Sequence, residues 1–541
     1  MSAIVEPVAV RKPLLRWIAL PHARALVPLL ALLCFAAEAA VFVPLAYLNR
    51  DEGWYALSGR LTYQGQVPYR DFPYFQMPLG PYLFGGMTSL SSSPIIAGRI
   101  MAAALGVVSI CVVMRIGWRL NGMAAAGLAA LLLLCSPEFI IASTTARTEA
   151  IAVPLVLVAT LALLEPWRGI AGFAVAPGLL LLASGVRLSF LPFAGVALAL
   201  CYWRARPTRR ETIAGTVLLI SAAAAAIGPA LLAPPHRVIF DVWTSQAGRN
   251  WQFSASAPSM LAIAVQRIAF VRVPAGTFFI VTLPMLLLLF CAVDKWRGGW
   301  RPARIGFGGD HVANDLLLGA FALLCWLPFA TFDHQEARYA VPSLALLAPA
   351  VADVCVNARR GLLGEAMRYA PPLLATLVIA YVAFQPPTLR DFLDSRDLPQ
   401  NSNAASYIRS ISSPDAQLVT LNPALALQSG RRLPPALVMG QFSFWPRKST
   451  AFAARAGVVN VDLLAREMDD SRTQIIALDD YDLGLIATFR DENPAAPADT
   501  PWPMKLFPEL AGQFDVVRVV PKFGQFGGSL YIMKRHAPDL R

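Results

Sequence analysis

The sequence predicts a polytopic α-helical membrane protein ending in a soluble α/β unit, and three observations carry that prediction. Apolar blocks of about 20 residues recur up to about residue 386, each long enough to cross a bilayer core. Only 15% of the 541 residues are charged, against about 25% in a soluble globular chain. Residues 387–541 return to ordinary composition, with 17 Lys/Arg against 17 Asp/Glu, over a length that suits one domain. The chain therefore divides into a membrane module, 1–386, and a tail, 387–541.

Eleven spans are expected, near 25–47, 94–117, 122–143, 149–165, 169–184, 186–203, 212–233, 272–293, 313–331, 339–356 and 370–386. The net charge of +12 lies in this module, where 29 basic residues meet 17 acidic ones. Alternate loops collect the excess: Arg115 and Arg119; Arg168; Arg204, Arg206, Arg209 and Arg210; Lys295, Arg297, Arg301 and Arg304; Arg359, Arg360 and Arg368. Positive loops stay in the cytoplasm, so the N-terminus is expected inside and the tail outside the cytoplasmic (inner) membrane. No basic groove or nucleic-acid motif is visible, which argues against nucleic acid as a partner. All seven cysteines lie in or at the ends of apolar spans, so neither a disulfide framework nor a thiolate metal site is indicated.

The tail reads as alternating short elements. A helix opened by Ser402 precedes a strand at 416–421, and a short helix ends at Gly430. A helix over 458–470, a buried strand at 473–478 and two alternating strands at 514–520 and 528–535 complete it, by the periods of 3.6 and 2 that mark the two structures.

The external loops hold mixed polar chemistry at the mouths of the spans, where charge is costly unless paired or solvated and marks a site by default. The first, 48–93, is the richest: NRDEGWYALSGRLTYQGQVPYRDFPYFQMPLGPY. From Asp51, Trp54, Leu57 and Leu61 recur at helical spacing, as in a short helix lying in the membrane interface. Asp51 and Glu52 fall in its first turn, where carboxylates are favoured by the helix dipole; capping alone explains one acid. Pro68, Pro73, Pro78 and Pro81 then impose an extended path. Arg70 and Asp71 stand on it among aromatic rings. An arginine there suits a phosphate, or the two pair as surface ions. Arg147 and Glu149 sit at the second external loop, and Arg187 at a span mouth suits a phosphate or an ion pair with Glu149.

These residues resemble a family. DEGWYALSGRL, GQVPYRDFPYFQMPLGPYL, ARTEAIAVPLVLVATLALL and EARYAVPSLALLAPA are similar to the motifs of the GT-C superfamily of membrane glycosyltransferases, in the bacterial branch near the protein O-mannosyltransferases and the lipid A aminoarabinose transferase. The resemblance implies a GT-C-like membrane module and an inverting transfer of a sugar, hexosyl or pentosyl, from a polyprenyl-phosphate carrier. The acceptor is a hydroxyl of a glycan, lipid or protein at the outer membrane face. Asp51 matches the family's first acid and is expected as general base, with Glu52 as second choice. Tyr55, Arg70, Asp71, Arg147, Glu149, Arg187, His334, Arg338 and Tyr339 are the expected substrate-binding residues. Asp51, Asp71 and Glu149 are candidate ligands for a divalent metal such as Mg or Mn. The aminoarabinose transferase branch has Phe-Glu-Lys-Pro where this chain has Phe75-Gln76-Met77-Pro78, so that branch's donor contacts do not carry over. The competing class is a lipid-linked sugar transporter without chemistry. Such proteins place ionisable groups at mid-membrane depth, whereas the charges here cluster outside.

Overall fold

The computed structural model describes residues 21–165, 167–245, 252, 311–330, 341–357 and 396–536. The expected spans at 272–293 and 370–386, together with His334, Arg338 and Tyr339, lie outside the described residues. Among the described residues five helices are long and apolar enough to cross a membrane: Leu26–Leu45, Pro94–Leu134, Gly169–Val186, Leu188–Ala205 and Arg209–Leu232. A bent pair, Pro137–Thr144 and Thr148–Leu164, makes a sixth when taken as one span. The chain is a multi-pass membrane protein.

Two breaks in this part of the chain, one between the expected spans 94–117 and 122–143 and one inside the second, have a visible cause. The apolar run Pro94–Leu134 folds back at Asn121 and Gly122, where Gly122 takes φ +70°, a conformation glycine adopts without steric cost. Gly117 thereby lies against Ala125 and Ala126. The expected span at 122–143 is interrupted at Cys135 and Ser136, and Ser136 caps the next helix through the Phe139 amide. The helix Pro137–Thr144 then meets Thr148–Leu164 at 108°. That bend frees residues 145–147 from helical hydrogen bonding and turns them toward the opening loop.

The ends of the helices differ in chemistry. At one end Arg119 pairs with Glu165 at 2.6 Å, and Arg204 donates to the carbonyls of Leu163 and Glu165. This gathers loops expected on the cytoplasmic side. The opening loop and the tail meet at the other end.

The opening helix is Arg50–Tyr63. Asn49 caps it, accepting the Asp51 amide at 2.8 Å, while the Glu52 carboxylate accepts the Asn49 amide at 3.3 Å. This reciprocal cap satisfies two amides that a helix start leaves unpaired. The helix is not laid on a membrane surface as its spacing suggested, because every residue from Glu52 to Gly59 is buried. Two glycines permit the enclosure. A Cβ on Gly53 would lie 2.7 Å from the Ala424 amide of the tail, and one on Gly85 would lie 2.6 Å from the Gly59 carbonyl.

The tail forms a four-stranded sheet of order β1-β2-β4-β3, with β1 (Gln417–Val419) parallel to β2 (Thr473–Asp479). The other pairs, β2 with β4 (Gly528–Arg535) and β4 with β3 (Phe514–Phe523), are antiparallel. Ile476 and Leu478 face one apolar core and Ile475 and Ala477 another, as alternation along a doubly covered strand requires. The helix Pro423–Ser429 ends at Gly430 with φ +69°. The first tail helix begins at Asp397 rather than Ser402. Ser402 sits inside it and reaches Gln428 instead.

The tail does not keep its core to itself. Leu48, Trp54, Tyr69 and Tyr74 of the opening loop, Phe240 and the tail's Ala424, Met439, Trp445 and Val458 form one apolar cluster.

Candidate active site

The shared cluster surrounds a pocket of about 630 Å³, part of it open to solvent. The opening loop lines it with Asp51, Trp54, Tyr55, Phe75 and Gln76. The bend before Thr148–Leu164 contributes Arg147, Thr148 and Glu149, and the turn after Gly169–Val186 contributes Arg187. Ser245 and Gln252 add polar groups, and the tail closes the pocket with Met439, Phe442 and Trp445.

Asp51 presents a partly exposed carboxylate. Trp54 Nε1 lies 3.4 Å from its Oδ1, and Arg147 Nη2 lies 3.9 Å from Oδ2. Arg147 is buried, yet its Nε and Nη2 have no hydrogen-bond partner among the described residues. Burial works against its charge, but Asp51, Tyr47, Glu149 and Glu52 outweigh that and hold the guanidinium above its ordinary range. A buried cation with open donors, at a pocket edge, is an anion-binding group by chemistry.

Glu149 and Arg187 form the adjoining pair at 2.5 Å. Thr148 Oγ1 approaches Glu149 Oε2 at 3.2 Å and the Tyr55 hydroxyl at 3.4 Å. Burial pushes the Tyr55 phenol well above its usual range, reinforced by Glu149 and Asp51, so it remains a neutral hydroxyl.

Glu52, expected as the second choice for catalysis, lies away from the pocket lining. It is fully buried against Arg99, whose Nε and Nη2 reach its two oxygens at 2.8 and 2.7 Å. It also accepts the Ala146 amide at 3.0 Å. Arg99 spends its other donors on the carbonyls of Val43, Ala46 and Tyr47. The pair thus ties the end of the first span, the opening helix and the 145–147 bend together. Asp51 and Glu52 point to different surroundings, as neighbours on a helix do.

Arg70 and Asp71 are likewise outside the pocket. They pair with each other at 2.8 Å on the surface. Asp71 Oδ2 also accepts the Val67 amide at 2.7 Å, closing the turn in which Tyr69 takes φ +66°. Short acids bond their own backbone in such turns. Asp71 therefore does not join Asp51 and Glu149 as a metal ligand. Among the described residues no group of three or more His, Cys, Asp or Glu is placed to hold a metal. The two pocket carboxylates face guanidinium groups, which is a poor donor set for a dication.

Several site features were not read from the sequence. Arg50 is buried at the seam, paired with Asp479 and, at 2.6 Å, with Asp482 of the tail, and it lies over the Tyr481 ring. Its Nη1 also lies 3.4 Å from Gln441 Oε1. Gln252 donates to the Gln441 and Phe444 carbonyls on either side of Phe442. Arg60 donates to the Leu427 carbonyl at 3.0 Å. An arginine inside a span, as at Arg99, is the kind of signal that marks a partnered charge. Nothing in the sequence pairs Arg50 with residues more than four hundred positions away.

The membrane spans, the pocket at their mouths and the tail roof make up a multi-pass membrane protein with the fold of ArnT. Two crystal structures of ArnT from Cupriavidus metallidurans carry that assignment. The apo form matches with TM-score 0.51 at 16% identity, covering 96% of this chain and 98% of that one. The form bound to undecaprenyl phosphate matches with TM-score 0.55 at 14% identity, over 96% and 98% of the two chains. The apo oligosaccharyltransferase of Archaeoglobus fulgidus has TM-score 0.49 at 11% identity, over 86% and 71%. At these identities the likeness is one of fold. No protein-family model and no curated protein sequence matches the chain.

Proposed function

We propose that this chain is an inverting glycosyltransferase that moves a sugar, hexosyl or pentosyl, from a polyprenyl-phosphate carrier to an acceptor hydroxyl at the outer face of the cytoplasmic membrane. The observation behind this reading is that one pocket at the span mouths holds the partly exposed Asp51 carboxylate and, 3.9 Å from it, buried Arg147 with open donors. That the fold neighbour ArnT has been crystallised with undecaprenyl phosphate supports a lipid-phosphate donor.

Asp51 accepts the acceptor's hydroxyl proton as that oxygen attacks the anomeric carbon from the side opposite the phosphate. The bond from the anomeric carbon to the phosphate oxygen breaks, and its electron pair leaves with the polyprenyl phosphate. Arg147 meets the charge that develops there, and Arg187, held by Glu149, supports it. Tyr55 and Glu149 orient the acceptor. His334, Arg338 and Tyr339 remain candidates for carrier contacts. No step runs through a metal. The eleven-span arrangement, a cytoplasmic N-terminus and the division into 1–386 and an extracytoplasmic 387–541 belong to the same proposal.

The test is transfer of labelled sugar from a panel of polyprenyl-phosphate sugars by wild type and Asp51→Asn, with a folding check on both. Transfer that collapses in a folded Asp51→Asn supports the reading. Equal transfer by both removes Asp51 from the chemistry. A transporter without chemistry gives no glycosylated product with any donor.

A further inference from the structure

We infer that the sugar this pocket accepts carries no charge, and that Gln76 together with the tail's Phe442 sets that preference. The inference rests on the proposed function and deepens it.

The lining divides by chemistry. Its four charged members contact one another: Asp51 faces Arg147 at 3.9 Å, and Glu149 holds Arg187 at 2.5 Å. The remainder is aromatic or neutral and also self-contacting. Trp54 meets Phe442 edge-on at 6.5 Å, and Trp445 lies 6.4 Å from Phe75. Gln76 and Gln252 are the amides of this part.

With the donor's phosphate on Arg147 and its anomeric carbon near Asp51, the far side of the sugar ring extends to the aromatic part. Aromatic faces cover the apolar faces of a sugar ring. The Gln76 side chain, half-buried, offers both a donor and an acceptor to ring hydroxyls. Among the described residues, that aromatic part of the lining offers no opposite charge to an ammonium or a carboxylate on the ring. Burying a charge without a partner is far more costly than burying a hydrogen-bonded hydroxyl. The tail is thereby part of the donor site.

The test is displacement of a fluorescent polyprenyl phosphate from the purified full chain by four short-chain ligands. These are the bare polyprenyl phosphate and its glucosyl, aminopentosyl and glucuronyl derivatives. The glucosyl form is expected to bind at least tenfold more tightly than either charged form. Gln76→Glu is expected to raise aminopentosyl over glucosyl binding about tenfold. Phe442→Ala is expected to cut the advantage of the glucosyl form over the bare carrier about tenfold, with unfolding temperatures confirming folded variants. Equal or tighter binding of a charged form by wild type overturns the inference, as does a pair of folded variants that leave both ratios unchanged. Failure of even the bare carrier to bind overturns the proposed function and the inference together.

Discussion

Residues 50–63 and 67–75 of the opening loop both set arginine beside aspartate among aromatic rings. In the first segment a capped helix is enclosed by the tail and by the helix Leu79–Leu90. Burial separates its charges: Arg50 goes to the tail, Glu52 to Arg99, and Asp51 to the pocket. In the second segment Tyr69, Phe72, Tyr74 and Phe75 are buried, but Arg70 and Asp71 reach the surface and satisfy each other in water. The same residue types therefore do different work because Arg50 and Glu52 are denied solvent and Arg70 and Asp71 are not. An ion pair in water is worth little, whereas a buried charge must find a specific partner or serve as a site.

The sharpest test of that difference is Asp51→Asn against Asp71→Asn. Loss of a positioned general base costs roughly 10²–10⁴-fold in rate, so the first should nearly abolish sugar transfer in initial-rate assays. The second should leave the rate within error. Next in size is Glu52→Gln, which strands buried Arg99. Removing one partner of a buried pair costs about 3–5 kcal/mol, seen as a large drop in unfolding temperature in detergent. Glu52→Gln that unfolds like wild type would erase the distinction between the two halves.

Arg147→Ala removes a charged donor from the pocket. Such hydrogen bonds are worth about 1.5–3 kcal/mol, so polyprenyl-phosphate binding should weaken by about ten- to over a hundredfold in a displacement assay. Arg70→Ala, on the exposed pair, should leave both binding and unfolding temperature unchanged.

The smallest effect concerns pH at the seam. Two carboxylates share Arg50, and burial pushes Asp482 up from 3.8 to about 7, with Arg50 opposing and Asp479 adding to the rise. The docked tail thus binds a proton that an undocked Asp482 releases near pH 4. The stability this group contributes is full below about pH 4 and is lost as pH rises through about 7. Protection of the seam from proteolysis should fall over that window, and Asp482→Asn should flatten the dependence.

Much was legible in the sequence. Apolar length and loop charge marked the membrane module, and periodicity located the tail strands. Asp51 and Glu52 were legible as first-turn acids of a helix, which runs Arg50–Tyr63. Asp51, Tyr55, Arg147, Glu149 and Arg187, singled out by position at span mouths, do line one pocket. These are local properties: hydropathy over about 20 residues, capping over four, and resemblance along a short motif. What tertiary structure alone decided was the partner of each charge. Glu52 found Arg99, Arg50 found Asp479 and Asp482, and Phe442 and Trp445 came to roof a pocket begun almost four hundred residues earlier. The physical reason is that the role of an ionisable or aromatic side chain follows from which water it loses and what replaces it, and that is a property of the folded neighbourhood.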